Sequence, residues 1–165
     1  MKYDGSWKQV AQDIYDQYGG IRLKTVLHLQ CEKGYLGYEL AKYEIKTTGV
    51  ETSNYARSYS WNIPTPIAHW PNGEHFDLCL ALGLVYTLNL QDAMSCLRRI
   101  ENIAHASFIT LAAYETEEDL RLFRKWTLLG TTILRKEEWL EVLKHCGFTG
   151  DYWFVTAQSL KLREA

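Results

Sequence analysis

Four side chains of chemically useful type fall in two short stretches: His28, Cys31 and Glu32 in one, Glu51 in the other. Each stretch follows a run of strand-forming residues, Thr25–Leu29 and Lys46–Val50. In a parallel sheet the four would meet at the carboxyl ends of the first two strands, where α/β sheets bind ligands. Such a cluster could hold a cation or an amine. Tyr86 is a further candidate, a proton acceptor whose ordinary pKa near ~10 makes it a poor base at neutral pH. No metal site is expected, because the five histidines never fall at ligand spacing with one another or with a cysteine. Cys31, Cys79, Cys96 and Cys146 share no CxxC spacing, and three of them sit in apolar periodic segments, where a cysteine acts as a small buried hydrophobe. The sequence has no Walker loop, GxSxG elbow or HExxH pair.

Composition narrows the partners. Eighteen Lys and Arg against twenty Asp and Glu give a net charge of -2, which leaves no electrostatic footprint for nucleic acid or an anionic membrane. With 47% apolar residues and a mean hydropathy of -0.27, the chain reads as a soluble globular protein. Its 165 residues suit one core and are too few for two ordinary domains. No apolar run has the length of a membrane span and the N-terminus does not read as a signal peptide, so a cytoplasmic protein is expected.

The elements that must position these residues follow from periodicity. Trp7, Val10, Ala11 and Ile14 predict a helix over residues 5–17, stopped by Gly19-Gly20. After the strand Thr25–Leu29, Leu36, Leu40 and Ala41 mark a helix opening beyond Gly34, and Lys46–Val50 a second strand. Pro64, Pro66 and Pro71 make residues 60–75 loop or short edge strand. A doubly buried strand is expected at Phe76–Leu82, a helix at Gln91–Ile103 and a strand at Ser107–Ala112. Thr116-Glu117-Glu118-Asp119 predicts a capping box opening a helix to about Leu129, its acids complementing the helix dipole. Lys136–Cys146 is a helix closed by Gly147, and Asp151–Ser159 a last strand or hairpin, with an antiparallel direction open to it. Alternating strands and helices predict an open α/β sheet with helices on both faces. Segments 28–34, 51–55 and 82–88 would line its crevice.

The run Val26-Leu27-His28-Leu29-Gln30-Cys31-Glu32-Lys33-Gly34-Tyr35-Leu36, then Val50-Glu51 about two dozen residues on, then Phe76-Asp77-Leu78, resembles a class I S-adenosylmethionine-dependent methyltransferase. Arg98-Arg99-Ile100 resembles the helix after that family's buried fourth strand. Glu138-Trp139 with Gly147-Phe148-Thr149-Gly150-Asp151-Tyr152 resembles the tail of a bacterial subgroup. The resemblance implies a Rossmann-like, mostly parallel sheet in one domain over residues 1–165. That domain divides into an N-terminal helix at 1–20, a cofactor-type half at 25–115, and C-terminal helices with the last strand at 116–165.

The family's first motif runs acidic-x-Gly-x-Gly-x-Gly. Mapped here, His28 stands at the acidic position, Gln30 and Glu32 at the first two glycines, and only Gly34 is kept. Gln30 brings a side chain where the backbone must approach the cofactor. Glu32 sets a carboxylate toward the cofactor's own, and His28 has the wrong charge for an ammonium partner. Glu51 matches the acid that binds the ribose hydroxyls, although a Glu at a strand end is more often solvated or capping. Only 25 positions (76 − 51) separate Glu51 from Phe76, and Ile63–Trp70 holds no acid for adenine, as if the third strand were truncated. Gly83-Leu84-Val85-Tyr86-Thr87 falls where the family faces its substrate.

With these substitutions the resemblance implies a degenerate cofactor site (Gly34, Glu51, His28, Gln30, Cys31, Glu32, Gly83) and a non-catalytic subunit that acts by binding a partner. No cofactor is then expected, and the partner is a protein, as a homo- or hetero-oligomer, a catalytic methyltransferase among the candidates. The six tryptophans and 13% aromatic content suit such an apolar face, or simply a core. The alternative is an active methyltransferase that uses S-adenosylmethionine through an atypical loop and acts on a small molecule or sugar, with alignment rather than a strong base as its main requirement.

Overall fold

The computed structural model describes residues 3–19, 22–60, 67–68 and 70–163. Its contacts divide the chain into two compact units, Met1–Leu80 with Ile103–His105, and Ala81–Asn102 with Ala106–Ala165.

In the first unit, helix α1 spans Lys8–Tyr18 and buries Ala11, Ile14 and Tyr18, one helical stripe. Strand β1, Thr25–Leu29, is buried from Val26 onward. Helix α2, Tyr35–Ala41, starts beyond Gly34, whose φ of 79° is left-handed. Strand β2 is Lys46–Val50, α3 is Asn54–Ser60 and β3 is Ile67–Ala68. Strand β4 is Phe76–Ala81. The strands order β3-β2-β1-β4 and every pair is parallel. Asp77 staples β4 to the start of β1: its carboxylate accepts from the N–H groups of Lys24 at 2.8 Å and Thr25 at 2.9 Å. Those two bonds hold its carboxyl below the usual range.

A third strand is present, and its described residues, Ile67 and Ala68, pair with Gly49 and Val50 of β2. Most of Ile63–Trp70, the stretch read as holding no acid for adenine, lies outside the described residues. Helix α3 carries none of the apolar periodicity that marks the other helices and was not foreseen.

In the second unit, apart from Ile103–His105, α4 is Leu90–Ile103, β5 is Ala104–Tyr114, and α5 is Glu117–Trp126. Strand β6 is Leu134–Arg135, α6 is Lys136–His145 and β7 is Asp151–Val155. The capping box forms as expected: Thr116 Oγ1 accepts from the Asp119 N–H at 3.2 Å, and the Asp119 carboxylate accepts from the Thr116 N–H at 3.0 Å. Helix α5 stops at Trp126 rather than near Leu129. Trp139 is fully buried and donates its indole N–H to the Ala112 carbonyl at 2.8 Å, locking α6 onto β5.

Strand β7 runs parallel to β5, Phe108 opposite Asp151 through Ala112 opposite Val155, which corrects the antiparallel alternative for the last strand. The reason lies in the connection. Between β5 and β7 the chain passes through two helices, a crossover that returns it to the starting end of the sheet, whereas an antiparallel neighbour needs only a turn.

Candidate functional site

The carboxyl ends of β1 and β2 bring together the residues at 28–34 and at 51. His28, the fourth residue of β1, is 3% exposed, and its Nδ1 has no hydrogen-bond partner. Burial lowers its pKa from 6.5 to about 4, so the imidazole is neutral at pH 7. An uncharged ring supplies no counter-charge to an ammonium.

The loop that follows turns through alternating left-handed residues. Gln30 has φ 53°, Glu32 φ 51° and Gly34 φ 79°. All three lie in the region that glycine enters freely and other residues enter at a cost of about 1–2 kcal/mol. The backbone thus takes a left-handed course at two positions that carry side chains, Gln30 and Glu32. The Cys31 N–H bonds the Val50 carbonyl at 3.0 Å, and the Gly34 N–H bonds the Cys31 carbonyl at 2.9 Å.

Glu51 stands just beyond β2 and is 6% exposed. One carboxylate oxygen accepts from the Glu32 N–H at 2.8 Å and the other from the Ser53 N–H at 2.7 Å. It is therefore a brace between two loops, a role that a single strand-end Glu does not announce in sequence. Cys31, Glu32 and Glu51 come together in this unit, His28 shares no hydrogen bond or ion pair with them, and Cys31 is held as a thiol. Burial, followed by the nearby Glu51 and Glu32 charges, pushes its thiol up to about 12. Among the described residues no group of three or more His, Cys, Asp or Glu side chains could hold a metal ion.

Two contributors lie inside the predicted lining segments without a role assigned to them from sequence. Ser53 supplies the second N–H to Glu51, and Lys33 places its ammonium over the Tyr55 ring, 5.6 Å from its centre. Proximity to Glu51 and to the loop was the only signal for either.

Gly83 and Tyr86 belong to the second unit. Gly83 has φ 84° and donates its N–H to Thr110 Oγ1 at 2.8 Å. Tyr86 is half-buried against Ala112, Phe123 and Ala157, and burial raises its pKa further, which removes it as a base. Its carbonyl accepts from the N–H groups of both Thr131 and Thr132 at 2.9 Å.

No family model and no curated protein matches the sequence. Solved structures do match the fold. Magnesium protoporphyrin IX methyltransferase from Synechocystis PCC 6803, with S-adenosylhomocysteine bound, aligns at a TM-score of 0.64 and 15% identity over 86% of this chain and 73% of its own. CalS10, an amino pentose methyltransferase from Micromonospora echinaspora with S-adenosylmethionine bound, gives 0.56 and 17% over 61% of this chain and 48% of its own. An S-adenosylmethionine-dependent methyltransferase from Clostridium acetobutylicum gives 0.54 and 18% over 62% and 48%. The aligned region thus spans about half the length of the last two proteins. Parallel strands, crossover helices and these neighbours establish the architecture: the chain has the Rossmann-like fold of the class I S-adenosylmethionine-dependent methyltransferases.

Proposed function

We propose that this chain uses the methyltransferase fold to bind a partner and does not transfer methyl groups. The observation that carries the reading is His28, a buried neutral imidazole at the position where the resemblance puts an acid. Glu51 adds to it, because both of its oxygens already accept backbone N–H groups. These residues do not fit a zwitterionic cofactor well, so we expect none to be held. The partner would be a protein, a second copy or a related catalytic methyltransferase. Tyr152 and Trp153, 41% and 61% exposed on β7, supply apolar surface for it. The four free, buried cysteines support a reducing, cytoplasmic setting.

A second reading is favoured by the left-handed course of Gln30, Glu32 and Gly34. It holds that the loop still admits S-adenosylmethionine and that the chain methylates a small molecule or sugar, as CalS10 acts on an amino pentose.

Calorimetric titration with S-adenosylhomocysteine tests both readings. The first expects no saturable heat from folded, monodisperse protein, and binding at micromolar affinity would overturn it. Binding gained by the combined His28→Asp, Gln30→Gly and Glu32→Gly variant would identify the loop as the lesion.

A further inference from the structure

Along the chain the histidines never fall at ligand spacing, yet the fold brings two of them into contact. His75 stands immediately before β4, and His105 is the second residue of β5. These strands are neighbours in the sheet, so residues 30 positions apart (105 − 75) come side by side. The two imidazole ring centres are 4.2 Å apart, with the ring planes at 65°. Both side chains are exposed, and neither ring has a hydrogen-bond partner among the described residues. Both residues belong to the first unit.

A neutral imidazole carries one nitrogen lone pair, so the contact gathers two such donors at one spot. Exposed side chains turn between rotamers at little cost, which lets both lone pairs face a common point. Asp77 adds negative charge. Its Oδ2 accepts from the N–H groups of Lys24 and Thr25 and from the Thr25 hydroxyl, which fixes the carboxylate at the start of β4. It is near enough to His105 for the two charges to interact. An anion beside a pair of nitrogen donors favours a cation between them.

We propose that His75 and His105 form a surface site for a divalent transition-metal ion, with water completing its coordination shell. Imidazole suits zinc, nickel and copper, whereas magnesium and calcium seek oxygen donors. Among the described residues no third His, Cys, Asp or Glu joins the pair, so the ion keeps exchangeable positions rather than a closed structural cage. The cysteines do not compete for it. All four are buried, and burial pushes the Cys31 and Cys96 thiols up to about 12, where the metal-binding thiolate is absent at neutral pH. Strand β4 runs parallel to β1, so the site stands at the opposite end of these strands from the crevice of His28 and Glu51. The inference does not depend on whether a cofactor binds in that crevice.

The test is calorimetric titration of the full chain with zinc chloride, repeated with magnesium chloride. Zinc is expected to bind saturably at a single site per chain, and magnesium to give no saturable heat. Loss of an outer-shell partner alone costs metal sites about 10–100-fold, so His75→Ala and His105→Ala should each weaken zinc binding by at least about tenfold. His145→Ala removes an exposed histidine at the end of α6 and should leave zinc binding unchanged. Each variant alters an exposed side chain, and circular dichroism checks that the fold is kept. The proposal is overturned if the parent chain gives no saturable zinc heat, or if magnesium binds as tightly as zinc. It is equally overturned if either His75→Ala or His105→Ala binds zinc like the parent, or if His145→Ala loses as much affinity as they do.

Discussion

One carboxylate oxygen of Glu51 accepts a hydrogen bond from the Glu32 backbone N–H at 2.8 Å, joining the end of β2 to a loop residue 19 positions earlier. The other oxygen takes the Ser53 N–H, so one buried side chain organises both loops at the carboxyl edge of β1 and β2. Glu51→Ala removes both acceptors and should destabilise the protein by about 1–3 kcal/mol in urea unfolding. Glu51→Gln keeps one carbonyl oxygen and should cost less. Equal stability for Glu51→Ala and the parent would remove the bracing role.

The left-handed residues make opposite predictions at neighbouring positions. Gln30→Gly and Glu32→Gly relieve a strained φ and should each stabilise by about 0.5–1 kcal/mol. Gly34→Ala, at φ 79°, should destabilise by about 1–2 kcal/mol. Thermal unfolding of the three variants reads the signs directly.

His28 predicts an acid-sensitive fold. Its pKa is 6.5 when unfolded and about 4 when buried. Between those values the unfolded chain takes up a proton that the folded chain excludes, so stability falls as pH is lowered through that window. The slope approaches about 1.4 kcal/mol per pH unit, and the contribution is complete above 6.5. His28→Leu should flatten this part of the profile in urea titrations at several pH values. Asp77 and Asp119, both held below the ordinary carboxyl value of 3.8, add a further loss at lower pH in parent and variant alike. An unchanged slope in His28→Leu would place the titrating group elsewhere.

Gly150 is required for space. A Cβ there would stand 1.9 Å from Ser107 Oγ and 2.9 Å from the Ser107 carbonyl oxygen. Gly150→Ala should destabilise by about 1–3 kcal/mol through overpacking. Adding Ser107→Gly removes the hydroxyl but leaves the Phe148 Cζ contact at 2.7 Å and the carbonyl contact, so the pair should recover only part of the loss.

What could be read in one dimension was whatever depends on neighbours in sequence. Thr25–Leu29 and Lys46–Val50 are strands with the bounds their apolar patterns predict, Thr116 and Asp119 close the capping box, and Gly147 leaves α6 with φ 65°. The side chains at Gln30 and Glu32 were visible too, since they stand in a row of residue types. Contacts distant along the chain were not legible. The brace between Glu51 and Glu32 and the parallel direction of β7 each join segments that no local period connects. The two-residue strands Ile67–Ala68 and Leu134–Arg135 are too short to carry a pattern, and form because a neighbouring strand offers free N–H and C=O groups. The exposed tip at Leu128 and Leu129 reads in sequence as the end of an apolar helix. Only the fold, by burying Phe123 on the other side of α5 and tying Thr131 and Thr132 to Tyr86, decided that these leucines face water.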